Sequence, residues 1–168
     1  MSVGGFTLRR MPCEGSDRVE HAALIALLQE WDDVDPRRRY HAWSAIAKEV
    51  TQRGSALAVW NERHPLTLDD AADREAALRR ARADLTAWQT AGLEMVTVLD
   101  RRYPLSLRQI EQISPVLFAT GSLRADDAGV AVVGSRDASK RGRQFAAEVA
   151  EGLTKRGITV ISGLAYVL

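Results

Sequence analysis

The sequence predicts an α/β protein: an N-terminal helical region followed by an incomplete α/β domain with a mainly parallel sheet. Three observations carry this. Up to residue 91, apolar residues recur at helical spacing. After Gly92 the pattern changes to short, β-branched-rich runs closed by small residues. Two of those runs flank a helical stripe, giving one strand–helix–strand unit. The 168 residues, 46% hydrophobic and 27% charged, have ordinary globular composition, which excludes disorder and collagen-like repeats.

Residues 1–17 read as a flexible N-terminus, with the helical region running from 18 to 91. Asp17 followed by Glu20 fits a capping box, so a helix is expected over 18–31, with Leu24, Leu27, Leu28 and Trp31 on one face. The run 32–39, with Pro36 inside it, breaks that helix. A second helix covers about 41–53, stopped by Gly54, and Ser55 caps a third through Trp60. His64-Pro65 closes this stretch. Thr67 then caps a long helix whose first turn is favoured by Asp69, Asp70 and Asp73 and which Gly92 ends. Three of the four Trp residues fall at core spacing on helix faces and Trp60 lies in the shorter helix, and they read as packing residues rather than as stacking platforms for bases.

From residue 92 to 168 the expected elements are strands at 95–99, 116–119, 130–133 and 158–161, with a helix at about 139–156 between the last two. Continuous apolar runs of this length suit strands buried on both faces of a parallel sheet. Phe145, Ala146, Val149 and Leu153 form the inner stripe of the helix, and Gly157 ends it.

Several function classes drop out. The longest apolar run, Ala22 to Leu28, is far short of the roughly 20 residues that span a bilayer. The first residues lack a signal peptide's apolar stretch, and Cys13 is the sole cysteine, so a reducing, cytoplasmic setting is expected. The three histidines lack ligand spacing, and no metal or other cofactor is expected. Net charge is +1, but residues 101–168 hold ten basic and six acidic side chains, a mild bias toward an anionic partner.

The chemically suggestive stretch is Val130-Ala-Val-Val-Gly-Ser-Arg-Asp-Ala-Ser-Lys-Arg-Gly142. A strand ends at Gly134, a short loop follows, and a helix begins near Ser139. Open α/β sheets bind ligands beyond the carboxyl ends of their strands. The free N–H groups and positive dipole end of the helix favour an anion there, beside Arg136, Lys140, Arg141 and Arg143. The alternative is a tight strand-to-helix turn with a solvated basic first turn. Neither G-x-G-x-x-G nor a P-loop is present. Ser162 and Gly163 follow the next strand, and parallel neighbours end on the same side. They could therefore join Ser135 and Arg136 around one phosphate-sized pocket.

Tyr103-Pro104-x-x-Leu107, Pro115-Val-Leu-Phe-Ala-Thr-Gly121, Val130-Ala-Val-Val-Gly-Ser-Arg136, Ser139-x-x-Gly142 and Val160-Ile-Ser-Gly-Leu-Ala165 occur in that order. This succession strongly resembles the DprA/Smf family of bacterial DNA-processing proteins, over about residues 92–165. The resemblance implies a Rossmann-like domain that binds single-stranded DNA, protects it, and helps load the RecA recombinase during natural transformation and recombination. It implies no catalytic residues, and a homodimer in the full-length form. It also maps a phosphate-binding pocket onto Gly134, Ser135, Arg136, Ser162 and Gly163, with Ser139 and Lys140 at the adjoining helix start. Two departures stand out. Arg141 replaces an aromatic usual in the family. Ala165 is followed by Tyr166-Val167-Leu168 where the family continues with Gly-Ile-Asp, so the chain reads as a fragment whose open sheet edge should self-associate. The rival readings are a nucleotide-binding enzyme acting on a nucleoside monophosphate, for which only Asp137 lies close in sequence, and an interaction module without DNA binding.

Overall fold

A computed structural model of the chain describes residues 14–67, 71–121, 123–135 and 137–163. The chain forms an α/β fold of two compact units, Met1–Leu123 and Arg124–Leu168.

The first unit is built around one helix, α1 (Glu14–Gln29), with α2 (Pro36–Arg53), α3 (Ala56–Arg63) and α4 (Ala71–Thr90) packed against it. Every residue from Ala22 to Leu28 is buried, between 0% and 4% exposed. A helix apolar all round has to sit inside its neighbours, and the chain's longest apolar run does so. Ile46, Ala47 and Val50 from α2, Val59 and Trp60 from α3, and Leu78, Ala81 and Leu85 from α4 complete the helical core. Trp60 is 2% exposed, and Trp31, Trp43 and Trp88 pack partly buried against the same core. No helix among the described residues is long and apolar enough to cross a membrane.

The helix ends show where local signals held and where they did not. Gly54 adopts φ 71° and returns its N–H to Val50. Gly92 adopts φ 78° and closes α4. Both conformations are left-handed and favour glycine. Ser55 caps α3 as expected, its Oγ accepting from Ala58 N–H at 3.0 Å. Pro36, by contrast, does not merely interrupt helical structure. It opens α2 at the first position, where the missing N–H costs nothing, and Asp35 caps it by accepting from Arg37 and Arg38. The Asp17–Glu20 capping box is also overturned, because α1 already begins at Glu14 and Asp17 lies within it. Glu20 instead reaches another helix. Its carboxylate accepts from Ala56 N–H at 2.7 Å, Leu57 N–H at 3.1 Å and Ser55 Oγ at 2.7 Å. The expected flexible stretch 1–17 lies outside the described residues up to 13, as do Asp69 and Asp70 near the Thr67 cap.

After α4 the same unit adds β1 (Glu94–Thr97), the single turn α5 (Leu105–Arg108) and β2 (Val116–Ala119). β1 and β2 are antiparallel, with Met95 opposite Phe118 and Thr97 opposite Val116. This corrects the parallel pairing expected for these runs. The connection between them holds only the single turn α5 and no crossover helix of the kind that usually joins parallel neighbours.

The second unit is one β–α–β: β3 (Gly129–Ala131), α6 (Lys140–Thr154) and β4 (Thr159–Ile161). β3 and β4 are parallel, in the register Gly129–Thr159, Val130–Val160 and Ala131–Ile161. Val132 N–H extends the pairing to Ile161 C=O at 2.9 Å. The expected burial on both faces does not hold. All three β3 residues are exposed, and Val133, Phe145 and Ile161 are 85%, 67% and 54% exposed. Phe145 was expected on the inner stripe, yet only Ala146, Val149 and Leu153 of that stripe are half-buried. Among the described residues each strand has one neighbour, and α6 is the only helix of the unit, so one layer cannot cover both faces.

Glu20 makes the first unit testable. Glu20→Ala should lower stability by about 1.5–3 kcal/mol, the range for hydrogen bonds to a charged group. Ser55→Ala, which removes one cap, should cost about 1 kcal/mol. Urea denaturation of both variants checks the order, and equal losses would remove the special role of Glu20.

Candidate nucleic-acid interface

The parallel register determines the geometry of the candidate site. β3 and β4 point the same way, so the segments that follow Ala131 and Ile161 leave the sheet at the same end. One of them, 132–135, leads toward α6, and the other begins with Ser162 and Gly163. Gly134, Ser135, Ser162 and Gly163 are all exposed. Gly134 and Gly163 have no atom within 4 Å of where a Cβ would stand, and neither has positive φ. Neither internal packing nor backbone strain requires glycine at these two positions, so the backbone is open to approach from outside.

Ser139 caps α6, its Oγ accepting from Gly142 N–H at 3.1 Å. The first intrahelical bond runs from Arg143 N–H to Ser139 C=O at 3.0 Å. By helix geometry the N–H groups of Lys140 and Arg141 are left without an intrahelical acceptor. They sit at the positive end of the helix dipole, with the side chains of Lys140, Arg141 and Arg143 beside them and no acidic residue in the first turn. Ser135 Oγ accepts from Asp137 N–H at 3.2 Å, which ties the loop to its own backbone and leaves the hydroxyl hydrogen free to donate outward. Asp137 itself is exposed. Arg136, the central cation of the expected pocket, lies outside the described residues, and so do Leu164 and Ala165. The fold thus carries six of the seven expected site residues at one end of a single β–α–β unit.

The Tyr103-Pro104-x-x-Leu107 motif belongs to the first unit and does structural work there. Tyr103 is 0% exposed, and its Oη donates to Ser114 C=O at 2.7 Å. Arg108 donates from Nη1 to Val98 C=O at 2.6 Å and from Nη2 to Asp100 C=O at 2.7 Å. Its guanidinium lies 5.1 Å from the Tyr103 ring centroid. Asp100 Oδ2 accepts in turn from Thr97 N–H at 2.6 Å and Thr97 Oγ1 at 2.9 Å. These bonds hold the connection between β1 and β2 closed. The sequence reading did not single out Arg108 or Asp100. Their partners are backbone carbonyls and a neighbouring threonine, which leave no pattern in spacing.

The second unit is thus a β–α–β with a basic strand-to-helix turn. Residues 94–167 match the family described as DNA recombination-mediator protein A. The chain is also 28% identical over 83 residues to the DNA processing protein DprA of Bacillus subtilis (strain 168), a match covering 48% of this chain and 28% of that protein. No solved structure matches it significantly. Residues 94–167, fewer than half of the chain, are thus similar to the DprA family, and the chain spans only 28% of the length of that relative. The matched segment begins at β1, so it takes in strands of both compact units.

Burial pushes the Tyr103 phenol above its usual pKa of about 10. The adjacent Arg108 charge acts the other way, and Tyr40 adds a smaller upward push. The unfolded chain releases this proton at lower pH than the folded chain. The stabilisation is therefore complete below about pH 10 and is lost as pH rises through the folded-state value. Tyr103→Phe should cost about 0.5–1.5 kcal/mol near neutral pH. The gap to the parent chain should narrow at about pH 11, read by urea denaturation at both pH values.

Proposed function

We propose that this chain binds single-stranded DNA through backbone phosphates at the β3–α6 turn, as a DNA-processing protein of recombination and natural transformation. The observation that supports this best is the parallel β3–β4 pair, whose two loops leave one sheet end beside the uncovered N–H groups and basic side chains of α6. In this reading Arg136 is the charge-assisted phosphate contact. Ser135, Ser139 and the backbone N–H groups around Gly134, Lys140, Ser162 and Gly163 supply neutral donors. Binding, not turnover, is the activity proposed. The RecA recombinase as partner, homodimerisation of the full-length form and a cytoplasmic setting follow from the same family reading.

Arg136→Ala should weaken binding to labelled oligo-dT by about 1.5–3 kcal/mol, measured by fluorescence anisotropy. The loss should be nearly independent of base sequence, since phosphates carry no sequence information. The salt slope should become shallower by roughly 0.7, the single-strand value for one phosphate contact. Arg136→Lys should rescue only in part, because a point charge does not reproduce the fork. Unchanged affinity in the matching variant of a full-length relative that binds tightly would remove this turn from the DNA site.

A further inference from the structure

The second unit holds one aromatic side chain among its described residues, Phe145, and it is 67% exposed. Its ring meets no other ring and no guanidinium among the described residues. The four Trp residues behave differently, since all of them pack in or against the helical core of the first unit. A single exposed apolar side chain is ordinary by itself. Phe145 is set apart by its place on α6.

The half-buried stripe of α6 runs through Ala146, Val149 and Leu153. Phe145 stands at the margin of that stripe and shares its own face with Arg141, four residues before it and also exposed. Helical side chains lean toward the helix N-terminus, so the ring covers the turn that holds Arg141. That turn adjoins the Ser139 cap and the uncovered N–H groups of Lys140 and Arg141. Residues 134–148 carry Arg136, Lys140, Arg141 and Arg143 against Asp137 and Glu148. Glu148 lies three residues further from the helix start than Phe145, and its Oε1 accepts from Gln144 Nε2 at 3.1 Å. The start of α6 is therefore a positive field beside an apolar ring. An apolar protein partner would answer the ring but not the cations. A nucleotide answers both, with its phosphate and with the face of its base. In a duplex those faces are stacked on one another, whereas an unpaired base offers a π-face to any aromatic side chain.

We propose that Phe145 is a base-stacking platform that makes this site select unpaired nucleic acid over duplex. The proposal rests on the phosphate reading given above: a phosphate is held at the start of α6, and a neighbouring base lies on the Phe145 ring.

The test compares three labelled ligands of equal length on the 168-residue chain by fluorescence anisotropy at constant ionic strength: oligo-dT, the same backbone with abasic sites throughout, and oligo-dT annealed to oligo-dA. Phe145→Ala should weaken oligo-dT binding roughly tenfold, within the range for one base stacked on an aromatic side chain. Its Kd for the abasic strand and for the duplex should equal the parent's. Phe145→Trp should keep the affinity for oligo-dT, and Phe145→Leu, apolar but without the flat ring, should lose it. Arg136→Ala should weaken oligo-dT and the abasic strand alike, so the two readings fail separately. Equal losses for Phe145→Ala on oligo-dT and the abasic strand, or no loss on either, would overturn the platform and leave the phosphate contact standing. A parent chain that binds none of the three ligands would overturn both. Sedimentation velocity addresses the other occupant of this face: a parent dimer that Phe145→Ala dissociates would assign the ring to a second copy of the chain and overturn the proposal.

Discussion

The second unit depends on one constraint: its two strands are parallel. A parallel pair cannot be closed by a tight turn, so the chain must travel the length of the sheet and return. α6 is that return. The return path fixes the rest. The segments after β3 and β4 emerge at one end, the helix N-terminus lies in the same connection, and the residues that bridge strand to helix carry the positive charge. Ser135, Ser139 and Lys140 need no long-range contact to be placed there, because adjacent backbone holds them.

The first unit depends on polar satisfaction more than its apolar pattern suggests. α1 is buried along seven consecutive residues, which fixes it as the centre but does not orient its neighbours. Glu20 does that for α3 by accepting three hydrogen bonds across 35 to 37 residues of sequence. Gln29 donates to Asp84 at 2.6 Å and ties α1 to α4 in the same way. Trp43 Nε1 donates to Leu28 C=O at 3.1 Å and links α2 to the C-terminal turn of α1. Hydrophobic burial is non-directional, whereas these bonds specify which helix face meets which.

Much of this was legible in the sequence, because the signals were local. Gly54, Ser55 and Gly92 act within a few residues of where they stand, and the βαβ unit follows from two apolar runs on either side of a helical stripe. The failures share a cause. Glu20 was assigned to the nearest helix end because sequence spacing cannot show that a second helix end lies closer in space. Composition placed the first two strand runs in a parallel sheet, but apolar composition does not set strand direction, and their register is antiparallel. Phe145 was placed inward by periodicity, which reports a preference for burial without showing that a covering layer exists. At the site, the order of motifs identified the loop and helix start.

The locality of the turn also bears on what kind of binding it can support. A phosphate held by a few backbone N–H groups, two hydroxyls and one or two cations gains strength from charge but none from base identity. One such contact supplies only a fraction of the free energy of a stable complex, so affinity for a strand must come from repetition along the backbone. The exposed side chains of Arg141 and Arg143 carry positive charge further into α6, and Lys155 and Arg156 stand at its other end. Lys155 is already engaged by Glu151 at 2.5 Å, and the Arg156 guanidinium by Gly152 C=O at 2.9 Å. Among the cations of α6 and its C-terminal cap, those without such partners are therefore gathered at the helix N-terminus. Under the proposed function, a strand following this unit would meet these cations at the end where both loops leave the sheet, a contact that holds the backbone without reading its sequence.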